Sequence, residues 1–399
     1  MTCVRTVGVI GSGQLARMMA EAATPLGLRV RLLAEAADGS AAQVVPLTEV
    51  GDYTDQETVT SFAAQCDAIT FDHEHVPTAI LRALEDAGVA VRPGPDALVH
   101  AQDKAAMRER LTALGIPAPN WRVTRTPEEF IAFGDEIGWP VIAKTSRGGY
   151  DGKGVWKVAG PEQVAEPFAA LGRALGPTDR VDAGVEPADA PEVVILAEEF
   201  VPFSRELSVL VVRRQGGESV VYPISETVQR DGICHETTTP APGLDPAQAA
   251  DIQAFATRIA DELAVVGVLA VELMQRASGE VVVNELAMRP HNTGHWSIEG
   301  AVTSQFENHL RAVADLPLGS TAPRAPVAVM SNVLGGANPD LVGSLPVVLA
   351  DPSLRVHLYG KAVKPGRKVG HVTVLGDEVA ATQDAARRAS AHLEGTDHE

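Results

Sequence analysis

The segment that most constrains the fold of this chain is a glycine-rich stretch at 139–157 with the sequence WPVIAKTSRGGYDGKGVWK. Apolar runs at Pro140–Lys144 and Val155–Val158 predict two strands, and the loop between them is rich in glycine. Such glycines bring bare backbone N–H groups close to a ligand, and consecutive N–H groups form an anion-binding concavity. Lys144 and Lys153 add positive charge. We therefore predict a β-hairpin that closes over a phosphate group, the alternative being a mobile surface hairpin.

This loop does not follow the Walker A pattern. That motif requires Gly-Lys followed by Ser or Thr at the start of a helix, where the hydroxyl binds magnesium. Here Gly152-Lys153 is followed by Gly154 and a β-branched strand. If a nucleotide binds at this loop, its metal ligands have to come from elsewhere in the chain.

The overall charge excludes some classes of partner. Lys and Arg number 33 against 52 Asp and Glu, so the net charge of −19 repels nucleic acid and anionic membranes. The length of 399 residues predicts two or three domains. Three scattered cysteines indicate neither a zinc site nor a disulfide framework. With no signal-like leader and no apolar stretch of about 18 residues, the chain is expected to be cytoplasmic.

Residues 7–36 predict a β-α-β unit of the Rossmann type, with strands at Val7–Ile10 and Leu28–Ala34. The helix between them has an apolar stripe formed by Leu15, Met18, Met19 and Ala22. The turn and helix start at Gly11–Ala16 match the G-x-G-x-x-A pattern, and Glu35 lies where a ribose-binding acid would lie. Alternating strands and helices continue to about residue 95 and predict a parallel sheet. A protein that binds NAD or flavin at this turn is therefore one open alternative.

The middle of the chain predicts two helices before the glycine-rich hairpin. The first spans Asp96–Leu114 with Lys104 inside it, and the second begins at a capping box, Thr126–Glu129, and ends at Ile137. Residues 175–191 are acidic and rich in Pro, Ala and Gly, which is typical of a solvated surface insertion. From residue 192 onward the strands are expected to pair antiparallel.

Two later strands, Val268–Met274 and Val281–Leu286, predict a hairpin with a two-residue turn at Ser278-Gly279. This turn pairs residue 277 with residue 280, and the same register places Glu272 directly opposite Glu285.

Opposed carboxylates destabilise a sheet unless something offsets their repulsion. One of them could be protonated, or both could extend into water. The functional interpretation is that Glu272 and Glu285 hold magnesium, which favours one or two carboxylates completed by substrate phosphates. Asn284 can add a neutral oxygen.

The segment that follows, MRPHNTGHW at 288–296, combines two histidines, an arginine and an amide. Ordering so many polar groups without a ligand is unfavourable. The segment therefore predicts a substrate site.

The C-terminal region predicts strands at Leu354–Val363 and Lys368–Leu375 around a type II turn at Lys364–Arg367. Five basic residues belong to this hairpin: Lys361, Lys364, Arg367, Lys368 and His371. One interpretation is an edge strand protected by lysines. The other is a phosphate clamp, because the planar fork of arginine suits phosphate oxygens.

A Rossmann-like start, a lysine followed by a glycine-rich hairpin, and a late Glu…Asn-Glu pair together resemble the ATP-grasp superfamily. The runs GSGQLARMM, SRGGYDGKGVW, NELAMRPHNTGHW and KAVKPGRKVGH resemble its ATP-dependent 5-(carboxyamino)imidazole ribonucleotide synthase family, over residues 7 to about 376. The resemblance implies an ATP-grasp fold of mixed α/β and α+β class and a homodimer. It implies a Rossmann-like domain at 1–103, a small lobe with the glycine-rich flap at 104–190, and a large antiparallel lobe with the basic hairpin at 191–399.

The resemblance also implies the site, residue by residue. The residues implied to bind ATP are His100, Lys104, Lys144, Gly149, Tyr150, Asp151, Gly152, Lys153, Gly154, Val155, Glu198, Glu199, Phe200, Val201, Glu206, Gln229, Asn284 and Glu285. Magnesium would be held by Glu272 and Glu285. The implied catalytic residues are Asp151, Arg289, His291 and Asn292. The residues implied to bind aminoimidazole ribonucleotide and bicarbonate are Gly13, Gln14, Leu15, Tyr150, Asp151, Arg289, His291, Asn292, Lys361, Arg367 and Lys368.

Three places depart from the family pattern. Arg is usual at His100, His is usual at Gln229, and FEFENVP is usual where this chain has FDHEHVP at 71–77. The first two departures put the roles of His100 and Gln229 in doubt.

The implied reaction, a step of purine biosynthesis, begins with phosphoryl transfer from ATP to bicarbonate. The resulting carboxyphosphate yields carbon dioxide, which the exocyclic amine of the imidazole attacks. Asp151 is the candidate acid or base near that amine. A related ATP-grasp ribonucleotide ligase is the nearer alternative, and an NAD-binding protein is the more distant one.

Overall fold

A computed structural model of the chain describes residues 4–148, 153–174, 192–230 and 232–396. Gly149, Tyr150, Asp151 and Gly152, together with the predicted surface insertion at 175–191, lie outside the described residues. The described strands form three sheets: one four-stranded and parallel, one four-stranded and antiparallel, and one nine-stranded and antiparallel. No helix in these ranges is long and apolar enough to cross a membrane.

The parallel sheet confirms the predicted Rossmann-like start. Its strand order is β3-β2-β1-β4. Its strands and flanking helices are β1 (Thr6–Ile10), α1 (Gln14–Ala23), β2 (Arg29–Ala34), β3 (Thr48–Val50), α2 (Gln56–Ala63), β4 (Ala68–Phe71) and α3 (Thr78–Asp86). Helix α1 buries Leu15, Met18 and Met19 against this sheet, as its apolar stripe predicts.

The long helix predicted at Asp96–Leu114 is two helices, α4 (Pro95–Gln102) and α5 (Lys104–Ala113). Asp103 has an extended backbone, and its carboxylate accepts hydrogen bonds from the N–H groups of Ala105 and Ala106. Asp103 therefore caps α5. The prediction was wrong because both halves bury apolar side chains, such as Leu98 in α4 and Met107 in α5, although the aspartate before the second half was a capping signal. The break places Lys104 at the start of α5, not inside a helix.

The second sheet contains the predicted glycine-rich hairpin and has the order β5-β8-β6-β7. Its elements are β5 (Trp121–Thr124), α6 (Pro127–Ile137), β6 (Val141–Thr145), β7 (Val155–Val158), α7 (Ala165–Ala174) and β8 (Ile195–Glu199). Strands β6 and β7 pair antiparallel from Val141 with Val158 to Lys144 with Val155, which confirms the hairpin. The three-domain division stays a prediction, but β8 pairs within this sheet, which favours a lobe boundary after Glu199 over one at 190.

The third sheet is one continuous layer with the order β14-β13-β9-β11-β12-β15-β17-β16, and β10 pairs with β9. Its elements are β9 (Phe203–Arg213), β10 (Ser219–Val221), β11 (Ser225–Arg230), β12 (Ile233–Thr239), α8 (Pro246–Glu262), β13 (Gly267–Arg276), β14 (Val281–Ala287), α9 (Ser297–Gly300), α10 (Gln305–Val313), β15 (Val327–Leu334), α11 (Leu345–Val348), β16 (Leu354–Leu358), β17 (Lys368–Gly376) and α12 (Val379–Glu394). The antiparallel pairing predicted for the large lobe is thus confirmed.

The C-terminal hairpin differs from its prediction. Strand β16 ends at Leu358, not at Val363, so Lys361 and Lys364 lie in the connection that follows it. The predicted turn is present, since Gly366 has φ +72° and Arg367 N–H donates to the Lys364 carbonyl at 3.0 Å. Strand β17 pairs on both sides, with β15 and with β16. Protection of a sheet edge therefore applies to β16 and does not explain Lys368 on β17.

A buried ion-pair network joins the small and large lobes. Arg108 on α5 is fully buried, and its Nε donates to Glu198 of β8 at 2.6 Å. Its terminal nitrogens donate to the carbonyls of Val283 at 3.1 Å and Asn284 at 2.8 Å, both on β14. Lys144 of β6 completes the network with an Nζ that lies 2.9 Å from Glu198 Oε2. One guanidinium thus fixes a helix, a small-lobe strand and a large-lobe strand.

Replacing Arg108 tests this network. Arg108→Met keeps much of the apolar stem but leaves the Glu198 carboxylate and two carbonyls short of donors. We expect the free energy of unfolding to fall by about 3–5 kcal/mol, as when one partner of a buried pair is removed. Urea denaturation measures this change. The matched control is Arg110→Met on the same helix, where an exposed pair with Glu262 should contribute less than about 1 kcal/mol; equal losses would contradict the assignment.

Candidate active site

A single cleft between the three sheets collects most of the predicted site residues. Those that line it are Gly13, Gln14, Leu15, His100, Lys104, Lys144, Lys153, Val155, Glu198, Glu199, Phe200, Val201, Glu206, Gln229, Glu272, Asn284, Glu285, Arg289, His291, Asn292, Lys361, Arg367 and Lys368. Gly154 is not among the lining residues, although both of its neighbours are. Gly149, Tyr150, Asp151 and Gly152 lie outside the described residues, so their roles stay predictions.

The predicted opposition of two carboxylates is confirmed, but the predicted turn is wrong. The hairpin loop has three residues, 277–279, since Arg276 N–H donates to the Glu280 carbonyl at 2.8 Å and Gly279 has φ +90°. This loop shifts the pairing by one residue up to Leu273, which lies opposite Val283. A β-bulge beyond that pair restores the register, and Glu272 lies opposite Glu285. The three-residue loop shifts the register by one residue and the bulge shifts it back by one residue, so the two shifts cancel.

The bulge leaves the carboxylate pair in a strained electrostatic environment. Burial, followed by the charges of Glu285 and Glu206, raises the pKa of Glu272 to about 8. Two basic side chains lie close to the pair: Lys104, whose Nζ is 3.4 Å from Glu285 Oε1, and His291, whose Nε2 is 3.4 Å from Glu272 Oε1. The charges of Lys368 and Arg289 also act on Glu272, but its pKa stays raised. The cluster is thus short of positive charge.

These residues fit a divalent cation that is shared with a ligand. Within the described residues no group of three or more His, Cys, Asp or Glu could by itself hold a metal ion. Two carboxylates leave coordination positions open for phosphate oxygens and water, as magnesium sites commonly do. A bound cation would also relieve the repulsion that raises the pKa of Glu272. Glu272 and Glu285 are therefore suited to hold magnesium only together with a phosphate-bearing molecule.

The nucleotide end of the cleft combines two lysines, Lys104 and Lys144, with apolar side chains. Lys144 Nζ lies 3.0 Å from Asn284 Oδ1, next to the carboxylate pair. Val155 and Phe203 are large apolar side chains that stay exposed here, at 38% and 44%. Exposed apolar walls beside a few convergent polar groups are typical of a site for a small ligand with a ring.

The connection between the small and the large sheet, Phe200–Pro202, lies at this same end. The Glu198 side chain contacts Arg108 and Lys144: burial would raise the pKa of Glu198, but these two cations lower it to about 2. Glu199 pairs with Arg276. Because both side chains are already paired, Glu198 and Glu199 can contact a nucleotide base only through their backbone N–H and carbonyl groups.

Three residues whose roles stay predictions also line this part of the cleft. Burial lowers the pKa of His100, and its Nδ1 is buried without a hydrogen-bond partner in the described structure. Burial raises the pKa of Glu206. Gln229 lies at a bulge in the pairing of β11 with β12.

The substrate end of the cleft is built by the segment at 288–296. Arg289 Nε donates to Glu74 Oε2 at 2.7 Å, and Met288 N–H donates to the other oxygen of Glu74 at 3.1 Å. His291 Nδ1 lies 2.8 Å from Thr293 Oγ1. Burial, helped by the charges of Arg289 and Lys368, lowers the pKa of His291 well below its usual range, so its imidazole is neutral.

Asn292 carries the clearest sign of a missing ligand. Its side-chain amide oxygen and nitrogen are both buried, and neither bonds to a nitrogen or oxygen atom in the described structure, where the weakly polar Cys234 thiol is a neighbour. Leaving a buried polar group unpaired costs about 1–3 kcal/mol. An amide that faces the cleft in this state can donate one hydrogen bond and accept another from a small polar molecule. The predicted substrate role of this segment is consistent with that geometry.

Sequence reasoning missed Glu74 and Asp72, which lie just after β4. Glu74 holds Arg289, and the Asp72 carboxylate accepts a hydrogen bond from Gly13 N–H. Burial raises the pKa of Asp72. The segment FDHEHVP was noticed only as a departure from a pattern. Two carboxylates directly after a buried parallel strand were a signal in themselves, because such strand ends meet at one edge of a sheet.

The turn at Gly11–Gly13 is not arranged for a dinucleotide. The carboxylate of Asp72 already occupies the N–H group of Gly13. Ser12 Oγ donates to Glu35 Oε2 at 3.0 Å, and His73 lies 3.3 Å from the other oxygen. The His73 hydrogen bond is the largest influence that lowers the pKa of Glu35 to about 2. Two carboxylates at the turn repel a pyrophosphate, which argues against the NAD-binding alternative.

The basic C-terminal connection meets the parallel-sheet domain across the cleft. Lys361 Nζ donates to Gln14 Oε1, and Ser40 Oγ donates to the Tyr359 carbonyl at 2.6 Å. Arg367 and Lys368 line the same end of the cleft. This region therefore presents positive charge, and Lys368 is among the charges that counter the rise in the pKa of Glu272.

The strained carboxylate allows a test in the absence of magnesium and nucleotide. Glu272 ionises near pH 8 in the folded protein and near 4.5 as a free side chain, so its ionisation destabilises the fold progressively as pH rises from 4.5 to 8. Glu272→Gln should raise the free energy of unfolding by on the order of 1–3 kcal/mol at pH 8, because one pKa unit is about 1.4 kcal/mol and solvent reduces the effect. The gain should disappear below about pH 5.

Urea denaturation at several pH values measures this effect. Glu280→Gln, at an exposed position of the same hairpin, is the control and should show no such trend. An identical gain for Glu272→Gln at pH 5 and pH 8 would show that charge repulsion is not its source.

Comparison with known proteins identifies the family. Models of three domains match the chain: a ribonucleotide synthetase preATP-grasp domain at residues 4–102, an ATP-grasp domain at 109–306, and a phosphoribosylaminoimidazole carboxylase C-terminal domain at 328–385. Together they cover each of the three sheets.

One similar relative is the N5-carboxyaminoimidazole ribonucleotide synthase of Mycobacterium tuberculosis, which is 47% identical over 388 residues, or 96% of this chain and 86% of the relative. Two solved structures of the Aspergillus clavatus enzyme are also similar. One, complexed with ATP, has 32% identity, a TM-score of 0.86 and coverage of 98% of this chain and 99% of that one. The other, in complex with ADP and 5-aminoimidazole ribonucleotide, has 31% identity, a TM-score of 0.85 and coverage of 99% and 100%. The fold, the cleft and these similarities establish that the chain belongs to the N5-carboxyaminoimidazole ribonucleotide synthase family of the ATP-grasp superfamily.

Proposed function

We propose that this chain carboxylates 5-aminoimidazole ribonucleotide with bicarbonate in an ATP-dependent reaction of purine biosynthesis. The observation that carries the proposal is the position of the carboxylate pair. Glu285 lies 3.4 Å from Lys104 at the nucleotide end of the cleft, and Glu272 lies 3.4 Å from His291 at the substrate end. A cation held by the pair would therefore lie between a nucleotide phosphate and a small substrate.

ATP binds with its phosphates toward Lys104 and Lys144 and its base beside the apolar walls of Val155 and Phe203. The ATP complex of the Aspergillus clavatus enzyme supports this ligand. Magnesium held by Glu272 and Glu285 would neutralise the charge of the phosphoryl group that is transferred. The loop at 149–152 is predicted to cover the phosphates, and Asp151 on it keeps its predicted role near the reacting amine.

Bicarbonate binds at the substrate segment. Arg289, fixed by Glu74, offers a positive charge, and the unpaired amide of Asn292 offers hydrogen bonds. The neutral imidazole of His291, beside Glu272, helps to hold bicarbonate in place as one of the bicarbonate oxygens attacks the γ-phosphorus of ATP. The bond between this phosphorus and ADP breaks as the new bond forms, which gives carboxyphosphate. Positioning and charge neutralisation supply most of the catalysis in such a transfer.

The ribonucleotide binds beside the bicarbonate residues, between the turn at Gly13–Leu15 and the basic residues Lys361, Arg367 and Lys368. Support comes from the Aspergillus clavatus complex with 5-aminoimidazole ribonucleotide and from the positive charge of this region. Carboxyphosphate releases phosphate and carbon dioxide, and the exocyclic amine of the imidazole attacks the carbon dioxide. The products are the N5-carboxylated ribonucleotide, ADP and phosphate.

Phosphate release under single omissions tests the proposed function. We expect full release only with ATP, magnesium, bicarbonate and 5-aminoimidazole ribonucleotide together, because each ligand completes the cleft. If formate or an amino acid replaces bicarbonate and restores full release, the chain is a different ATP-grasp ribonucleotide ligase. We also propose the homodimer that the family resemblance implies, which sedimentation velocity of the purified protein would test.

Arg367→Ala tests the ribonucleotide site. Losing a charge-assisted phosphate contact should raise the KM for 5-aminoimidazole ribonucleotide by about tenfold to a hundredfold and leave the KM for ATP nearly unchanged. Steady-state kinetics with each substrate varied in turn measures both. Arg355→Ala on β16 is the matched control, since this arginine donates to the nearby carbonyls of Pro352 and Leu354 and is not among the described residues that line the cleft. Unchanged kinetics with increased aggregation of Arg367→Ala would instead favour a role in protecting the sheet edge.

A further inference from the structure

Gln305, the first residue of α10, is a buried glutamine whose side chain forms two hydrogen bonds with one residue of the substrate segment, residues 288–296. Its side chain is fully inaccessible to solvent. Its Oε1 accepts a hydrogen bond from the backbone N–H of His291 at 2.8 Å, and its Nε2 donates to the backbone carbonyl of His291 at 2.7 Å. The two bonds form a cyclic pair like that between neighbouring strands. Because a backbone N–H only donates and a carbonyl only accepts, the orientation of this amide is not ambiguous.

The surroundings of Gln305 are shaped to admit this side chain. A Cβ on Gly294 would lie 2.6 Å from Gln305 Oε1, so a larger residue there would displace the amide. The Gln305 backbone N–H donates to Ser297 Oγ at 2.9 Å, and Ser297 Oγ donates to the Gly294 carbonyl at 2.6 Å. Gln305 Nε2 also lies 3.2 Å from His295 Nδ1. The start of helix α10 therefore contacts the substrate segment at His291 and again at Gly294 and His295.

Backbone position decides where the His291 imidazole lies. Its ring is fixed on one side by Thr293, whose hydroxyl lies 2.7 Å from Ser208 Oγ on β9. Its other nitrogen faces Glu272. Thr293 orients the ring, but the His291 backbone lies beyond β14, which ends at Ala287, and has no ladder hydrogen bond to a strand among the described residues. The two hydrogen bonds from Gln305 anchor this backbone.

We propose that Gln305 is a positioning residue that sets the place of His291, and with it Asn292, relative to the carboxylate pair. It acts through the backbone and does not touch a substrate, since it does not line the cleft. The inference rests on the proposed function, in which His291 and Asn292 bind bicarbonate. Displacements of about 1 Å in such a site reduce turnover by about a hundredfold.

Gln305→Met tests this role, because methionine has a similar length and volume but cannot form the cyclic pair. We expect faster hydrogen exchange in the peptide that contains His291, with exchange elsewhere unchanged. We expect kcat to fall by about tenfold to a hundredfold while the KM for ATP stays within about twofold. Gln305→Glu, whose buried carboxyl in its protonated form can accept from the His291 N–H and donate to its carbonyl, should show a smaller loss and serves if the methionine variant does not fold.

Gln275→Met is the matched control. Gln275 is also a buried glutamine in a hydrogen-bond network, with Arg205 and Gln248, and it does not line the cleft. It should lose stability without loss of kcat. The proposal is overturned if Gln305→Met keeps wild-type exchange at His291, or if its kcat falls only in parallel with thermal stability as in Gln275→Met. If wild-type protein shows no bicarbonate-dependent phosphate release, the proposed function fails, and the exchange measurement alone still decides whether Gln305 anchors His291.

Discussion

The rest of the structure depends on the buried ion pair between Arg108 and Glu198. Removing two charges from water is unfavourable, and the pair is tolerable because the guanidinium also satisfies two carbonyls of β14 while Lys144 satisfies the second oxygen of Glu198. Each partner belongs to a different element, so the network can form only when both lobes are in place. It therefore links the position of Lys144 to the strand that carries Asn284 and Glu285.

Without a ligand, the active-site cleft contains charged groups that repel one another and a buried amide whose hydrogen bonds are not satisfied. Glu272 faces Glu285 across the strands, and the Asn292 amide is buried without a nitrogen or oxygen partner in the described structure. Both arrangements reduce stability, and the sheet and the ion-pair network maintain them. Such local conflict is expected where a charged ligand completes the site. Glu74 and Gln305 illustrate the complementary case, because each uses both polar atoms of its side chain to hold the segment at 288–296.

The sequence by itself determined the elements whose signals are local. The stripe of Leu15, Met18 and Met19 predicted the first helix, and the glycine-rich loop between two apolar runs predicted the hairpin of β6 and β7. Distinctive motifs predicted the family, and alternating strands around a short turn predicted the opposition of Glu272 and Glu285. That last prediction was right for a partly wrong reason, because the three-residue loop and the bulge compensate for each other.

Only the tertiary structure decided which distant groups meet. Nothing near Arg108 in the chain shows that it binds Glu198 of one sheet and carbonyls of another. Likewise, the Asp72 carboxylate binds the glycine turn of the Rossmann-like domain. The glycine motif therefore serves tight packing here, and the dinucleotide site that it also suggested was a wrong alternative. Gln305 carries no motif, and its role follows from a helix start that lies against His291. The physical reason is that hydrogen bonds and ion pairs between elements depend on packing, which brings together residues far apart in the chain, whereas propensity and periodicity act only between neighbours.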